Sequence, residues 1–155
     1  VGNLRAQSLS SDLQFSTDSF LNARWTTPSN DIISVDELYG KWTVMLTIKY
    51  ASTTSLREWG ALRAISETMN LTREDIRFIV LSIDGTEDLW QGVLNKRKST
   101  SEIVRWVGAD ARWMYGLDLH SVPTTTIITP GLEIYEFAAP APSCGLRKYL
   151  ENLPE

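Results

Sequence analysis

Apolar residues fall along this chain in two kinds of run. WTVMLTIKY (residues 42–50) and IRFIVLSID (76–84) are apolar and β-branched almost throughout, as strands buried on both faces are. Between them, TSLREWGALRAISETMN (54–70) places Leu56, Trp59, Leu62, Ile65 and Met69 at three- and four-residue steps. That period predicts a helix with one apolar face. Thr54 or Ser55 is its expected N-cap, and Glu58, three residues after Ser55, has the spacing of a capping box.

Weaker patterns surround this unit. Residues 1–30 are rich in Ser, Asn and Thr and read as an extended lead-in, with a short strand near residues 13–15. SVDELYGKW (34–42) predicts one helical turn capped by Ser34 and closed by Gly40. TEDLWQGVLNKRK (86–98) predicts a helix, with acids in its first turn and bases in its last. EIVRWVG (102–108) reads as a short edge strand, and ADARWMYGL (109–117) as about two helical turns. In SVPTTTIITPGLEIYEF (121–137), a strand over 124–129 turns at Pro130-Gly131 into an antiparallel partner over 132–137. SCGLRKYLENL (143–153) is an amphipathic closing helix, with Leu146, Leu150 and Leu153 on one face. A helix joins the first two long strands, so they are expected to be parallel; the last two form a hairpin. The expectation is an α/β domain with a mixed sheet covered by helices on both sides.

Composition narrows the chemistry. A chain of 155 residues with 43% hydrophobic and 22% charged residues fits one soluble domain. The net charge of −4 argues against nucleic acid as a partner. No apolar run approaches the ~20 residues of a membrane helix. The first residue is Val1, which reads as a processed or trimmed product. Cys144 is the one cysteine and His120 the one histidine. An intramolecular disulfide, a multi-cysteine metal cluster and a His-rich zinc site are thereby excluded. No metal or other cofactor is expected, since the acids Asp84, Glu87 and Asp88 are accounted for by a helix N-terminus.

Three stretches carry a family resemblance. YGKWTVMLTIKYAS (39–52), DARWMYGLDLHSVPTTTIITPGLEI (110–134) and CGLRKYLENL (144–153) resemble the strand leading to the active site, the cis-proline segment and the closing helix of the thioredoxin-like superfamily. The nearest likeness is to its extracytoplasmic thiol-disulfide oxidoreductase and peroxiredoxin-related branch. The resemblance implies a three-layer sandwich over residues 31–155, with residues 1–30 as an N-terminal extension packing on it. By position, Pro123 is the expected cis-proline, with Val122 before it and Thr124 after it on a peptide-binding edge. The Cys-x-x-Cys window falls on Thr54, Ser55, Leu56 and Arg57, so both cysteine positions are lost. Disulfide exchange needs a thiolate, and an alcohol does not replace it.

The implied function is a redox-inactive binding or scaffolding module of the cell envelope, periplasmic or secreted. Its partner would be a protein or peptide, within what could be a larger assembly. An extended peptide would lie in a groove between residues 54–57 and the Val122-Pro123-Thr124 loop. The alternative is a thiol-dependent enzyme or redox partner using Cys144, against the plainer expectation of a buried, inert cysteine. Trp25 and Trp59 are candidate interface residues, although the periodicity also places Trp59, with Trp42 and Trp106, on packing faces. Trp25 either pins the lead-in or anchors a partner. His120 is read as a loop or surface residue rather than a base near Pro123. Lys96-Arg97-Lys98 is read as a solvated helix end, and the Asn70-Leu71-Thr72 sequon as a chance match.

Overall fold

A computed structural model describes residues 24–26, 32–49, 51–83, 103–106 and 122–155. The strands are β1 (Arg24–Thr26), β2 (Ile32–Ser34), β3 (Trp42–Ile48), β4 (Ile76–Ser82), β5 (Ile103–Trp106), β6 (Thr124–Ile128) and β7 (Ile134–Glu136). They form one mixed sheet in the order β2-β1-β5-β4-β3-β6-β7. Two helices are described, α1 (Thr53–Met69) and α2 (Leu146–Glu151), with a 3-10 turn at Val35–Leu38.

The two long apolar runs are neighbours in the middle of this sheet. β3 and β4 pair in parallel over their full lengths, from Trp42 opposite Ile76 to Ile48 opposite Ser82. On its other side β3 pairs antiparallel with β6, Thr47 opposite Thr124. Every residue of β3 is buried, including Thr43 and Thr47 among its apolar neighbours. One face of the sheet takes Val44, Leu46, Ile48, Phe78, Val80 and Ile127, packed under Trp59, Leu62, Ile65 and Met69 of α1 and Leu146 and Leu150 of α2. Met45, Ile79 and Leu81 are equally buried. They alternate with the first set along their strands and so point to the opposite face.

Several expectations change. β5 is not at an edge: it pairs in parallel with β4 and antiparallel with β1, Thr26 opposite Trp106. The serine- and threonine-rich lead-in hid β1 because its strand is only three residues long. Ser34 makes no side-chain cap on the turn that follows it. In the β6–β7 hairpin it is Leu132, not Gly131, that takes the left-handed backbone, with φ 69°. Its side chain is 8% exposed. Burying a leucine contributes about 1.5–3 kcal/mol, enough to offset the roughly 1–2 kcal/mol cost of that conformation. The strand near residues 13–15 and the helices over 86–98 and 109–117 lie outside the described residues. So do Asp84, Glu87, Asp88, His120 and Lys96-Arg97-Lys98.

The end of the sheet where β3 begins is closed by the C-terminal tail. The Trp42 indole N–H donates to the Pro154 carbonyl at 3.0 Å, and its ring meets Tyr135 edge-on at 5.1 Å. Arg73 is buried there. It donates to the Leu153 carbonyl at 3.1 Å and to both carboxylate oxygens of Asp75 at 2.8 Å. Hydrogen bonds from Arg73, reinforced by its charge, hold the Asp75 carboxyl below its usual range against an opposing desolvation. A depressed carboxylate stabilises the fold above its unfolded pKa of about 3.9, and loses that contribution as the pH falls through the folded value. The expected outcome is a gap in urea midpoint between wild type and Asp75→Asn that is widest near neutrality and narrows from about pH 5 downward. A gap independent of pH would remove this account of the pair.

Candidate functional site: a cleft beside Pro123

The turn between β3 and α1 is built by two serine hydroxyls. Ser52 is the N-cap, and its side chain accepts from the Ser55 N–H at 3.3 Å. The Ser55 hydroxyl turns back and accepts from the Lys49 N–H at 3.1 Å. The cap therefore lies ahead of the Thr54 or Ser55 expected from sequence. Ser55, spent on the strand end, is fully buried. Thr54 and Arg57 are exposed and Leu56 is half-buried. Arg57 points out of the first turn, which spares the guanidinium a confrontation with the positive end of the helix dipole.

Moving the start of the helix changes the role of Glu58. It makes no capping box. It sits on the buried stripe of α1, where Ser55, Glu58, Leu62, Ile65 and Met69 follow at steps of three and four. At 7% exposure it is a carboxylate almost wholly withdrawn from water. Both its oxygens are held by Ser143: the Ser143 N–H donates to Oε2 at 2.9 Å, and the Ser143 hydroxyl donates to Oε1 at 2.5 Å.

Ser143 belongs to the segment that returns from β7. The Ala139 N–H donates to the Thr125 carbonyl at 2.9 Å and the Thr126 hydroxyl to the Phe137 carbonyl at 3.0 Å, so the segment runs beside β6 toward Pro123. It then folds back, with the N–H groups of Cys144 and Leu146 both donating to Ala141. Gly145 enters α2 at φ 100°, a conformation that favours glycine.

Between this segment and the start of β6 lies a cleft of about 230 Å³. Glu58 and Leu46 line it, with Val122, Pro123, Thr124 and Thr125 on one side and Ala138, Ala139, Ala141 and Pro142 on the other. The Val122–Pro123 peptide bond is cis. None of Thr54, Ser55, Leu56 and Arg57 lines this cleft. Among the described residues a groove lies between Glu58, that loop and the 138–142 segment. Its physical origin is the inward turn of Ser55, which leaves Glu58, one turn later, as the polar group at the wall.

Other candidates are redistributed. Trp59 is fully buried in the core under the sheet and has no surface to offer a partner. The backbone of Trp25 lies in β1 opposite Ile33; its side chain is outside the described residues. Cys144 is exposed, not the buried small hydrophobe expected, and it does not line the cleft. Asn70, Leu71 and Thr72 are exposed in the turn after α1. Among the described residues no group of three or more potential ligands could hold a metal, and no helix is long and apolar enough to cross a membrane.

The site residues that sequence reading missed are Glu58 and Ser143. The available signal was a carboxylate in register with an apolar stripe, read instead as a cap. Ser143→Ala removes a hydrogen bond to a charged group, worth about 1.5–3 kcal/mol. The expected outcome is a loss of that order in the free energy of urea unfolding, with little loss when the same change is made in Glu58→Gln.

No family model matches the sequence, and a search of curated proteins finds no match. Solved structures do match. The thioredoxin domain of a thiol-disulfide oxidoreductase from Bacteroides vulgatus superposes with a TM-score of 0.68 at 14% identity, over 83% of this chain and 90% of that one. A secreted disulfide oxidoreductase of Mycobacterium tuberculosis gives 0.64 at 15% identity, over 88% and 99%. The exposed lipoprotein thioredoxin of Streptococcus pneumoniae gives 0.65 at 10% identity, over 83% and 98%. At these identities the likeness establishes the fold, which is thioredoxin-like.

Proposed function

We propose that this chain is a thioredoxin-like domain that has exchanged disulfide chemistry for binding, and that it holds an extended segment of a partner protein against the cleft at Pro123. The observation that carries the reading is the make-up of the helix start beside β3. Ser52 and Ser55 spend their hydroxyls on backbone groups, and the one cysteine of the chain lies elsewhere, at position 144. A thiolate at a helix N-terminus is what such a turn activates in thiol enzymes; these hydroxyls supply no thiolate and accept no electrons.

What remains useful for recognition is backbone. Val122, Pro123 and Thr124 are half-buried, and proline has no N–H to give. All three line the cleft, and an extended peptide lying there would run against them. An extracytoplasmic setting in the cell envelope is part of the proposal. It is supported by a secreted protein and an exposed lipoprotein among the structural neighbours. Within that setting the domain would serve as a scaffold for one partner or as a part of a larger assembly.

A second reading is favoured by one observation, the exposure of Cys144: it could act as a lone thiol with a cysteine-bearing partner. Insulin reduction in the presence of dithiothreitol separates the two. The expected rate for the wild-type protein equals the rate for dithiothreitol alone. Catalysis lost in Cys144→Ser would install the single-thiol reading, and catalysis that survives the substitution would overturn both.

A further inference from the structure

Glu58 is an acid withdrawn from water. Among the described residues neither a lysine nor an arginine pairs with it, and its two hydrogen bonds both come from Ser143, a neutral donor. A carboxylate offers about four lone-pair positions, so two such bonds leave capacity for more. Neutral hydrogen bonds alone compensate a withdrawn charge only in part. The carboxylate also lines the cleft, so anything that enters meets it.

We infer that the cleft accepts the ammonium group of a lysine side chain carried by the bound segment, with Glu58 as its counter-ion. This rests on the peptide-binding reading above and names the chemistry of the partner. The walls suit a lysine stem: Ala138, Ala139, Ala141 and Pro142 are small and largely apolar, and methylene groups lie well along such a surface while the charged head reaches a polar end. An ammonium needs only one acceptor at a time, whereas the fork of an arginine asks for both carboxylate oxygens in one geometry. Ser143 already holds a position on each oxygen. The net charge of −4 draws a basic segment toward the protein from a distance.

The test is fluorescence anisotropy with the full chain and four labelled heptapeptides. Each alternates alanine and valine around a central residue that is lysine or norleucine, and each is made with an acetylated or a free N-terminus. The expected result is that wild type binds the acetylated lysine peptide about tenfold or more tightly than its norleucine twin. That preference fades as salt is raised. It disappears in Glu58→Gln, whose unchanged circular dichroism shows an intact fold. Equal binding of the two acetylated peptides by wild type would overturn the lysine inference and leave peptide binding standing, and it needs no variant to be seen. Tightest binding by the norleucine peptide with a free amine would move the ammonium to a chain terminus and overturn the side-chain assignment. Failure of all four peptides to bind would remove the peptide-binding reading itself, and this inference with it.

Discussion

A strand that is buried on both faces and paired on both edges leaves its chain almost no freedom, and β3 is such a strand. Its residues are all buried, Thr43 and Thr47 included, and the backbone groups at its ends need hydrogen-bond partners. At the Ile48 end the first N–H beyond the strand, that of Lys49, is taken by Ser55. The same hydroxyl is thereby withdrawn from solvent, and the helix must begin at Thr53 with Ser52 as its cap. Everything on α1 is phased from that start. One turn later the phase brings Glu58 to the wall of the cleft and sets Trp59 into the core. The location of the carboxylate is thus a consequence of how a central strand ends.

The Glu58–Ser143 contact joins parts of the chain 85 residues apart. It ties the start of α1 to the segment between β7 and α2, and these, with the Pro123 loop, are the three walls of the cleft. A core built only for stability would place a leucine here. Replacing a buried ionic group with a well-packed apolar one is often neutral or stabilising. Among the described residues, what meets this carboxylate is the hydrogen bonding of one serine. The proposed binding reading accordingly rests on this carboxylate as well as on the shape of the cleft.

Strong periodicity made the centre of the fold legible. β3, α1, β4, the β6–β7 hairpin and α2 all follow from apolar spacing, because burial on one or two faces writes itself into the sequence. The elements that were misread are those whose stability is borrowed. β1 is three residues long and exists by pairing with β2 and β5, so nothing in its own residues announces it, and β5 looked like an edge because its outer neighbour was invisible. The site was less legible for a related reason. Ser55 and Glu58 satisfy the spacing of a capping box, and local spacing cannot reveal that one side chain has turned back to the strand while the other has been claimed from residue 143. Leu132 shows the same limit in the turn, where a buried leucine holds the left-handed conformation.

The position of Cys144 bears on what kind of site this is. Disulfide exchange within one protein needs a second sulfur to resolve the mixed disulfide, and this chain has one cysteine. A lone thiol would have to depend on its partner for resolution, and would gain most from lying inside the cleft that grips the partner. Cys144 lies just past Ser143, in a turn whose N–H groups are committed to Ala141, and the cleft is lined without it. Its neighbour holds the carboxylate, while the thiol faces solvent. The residues that converge on the cleft are Glu58, two threonines and small apolar side chains.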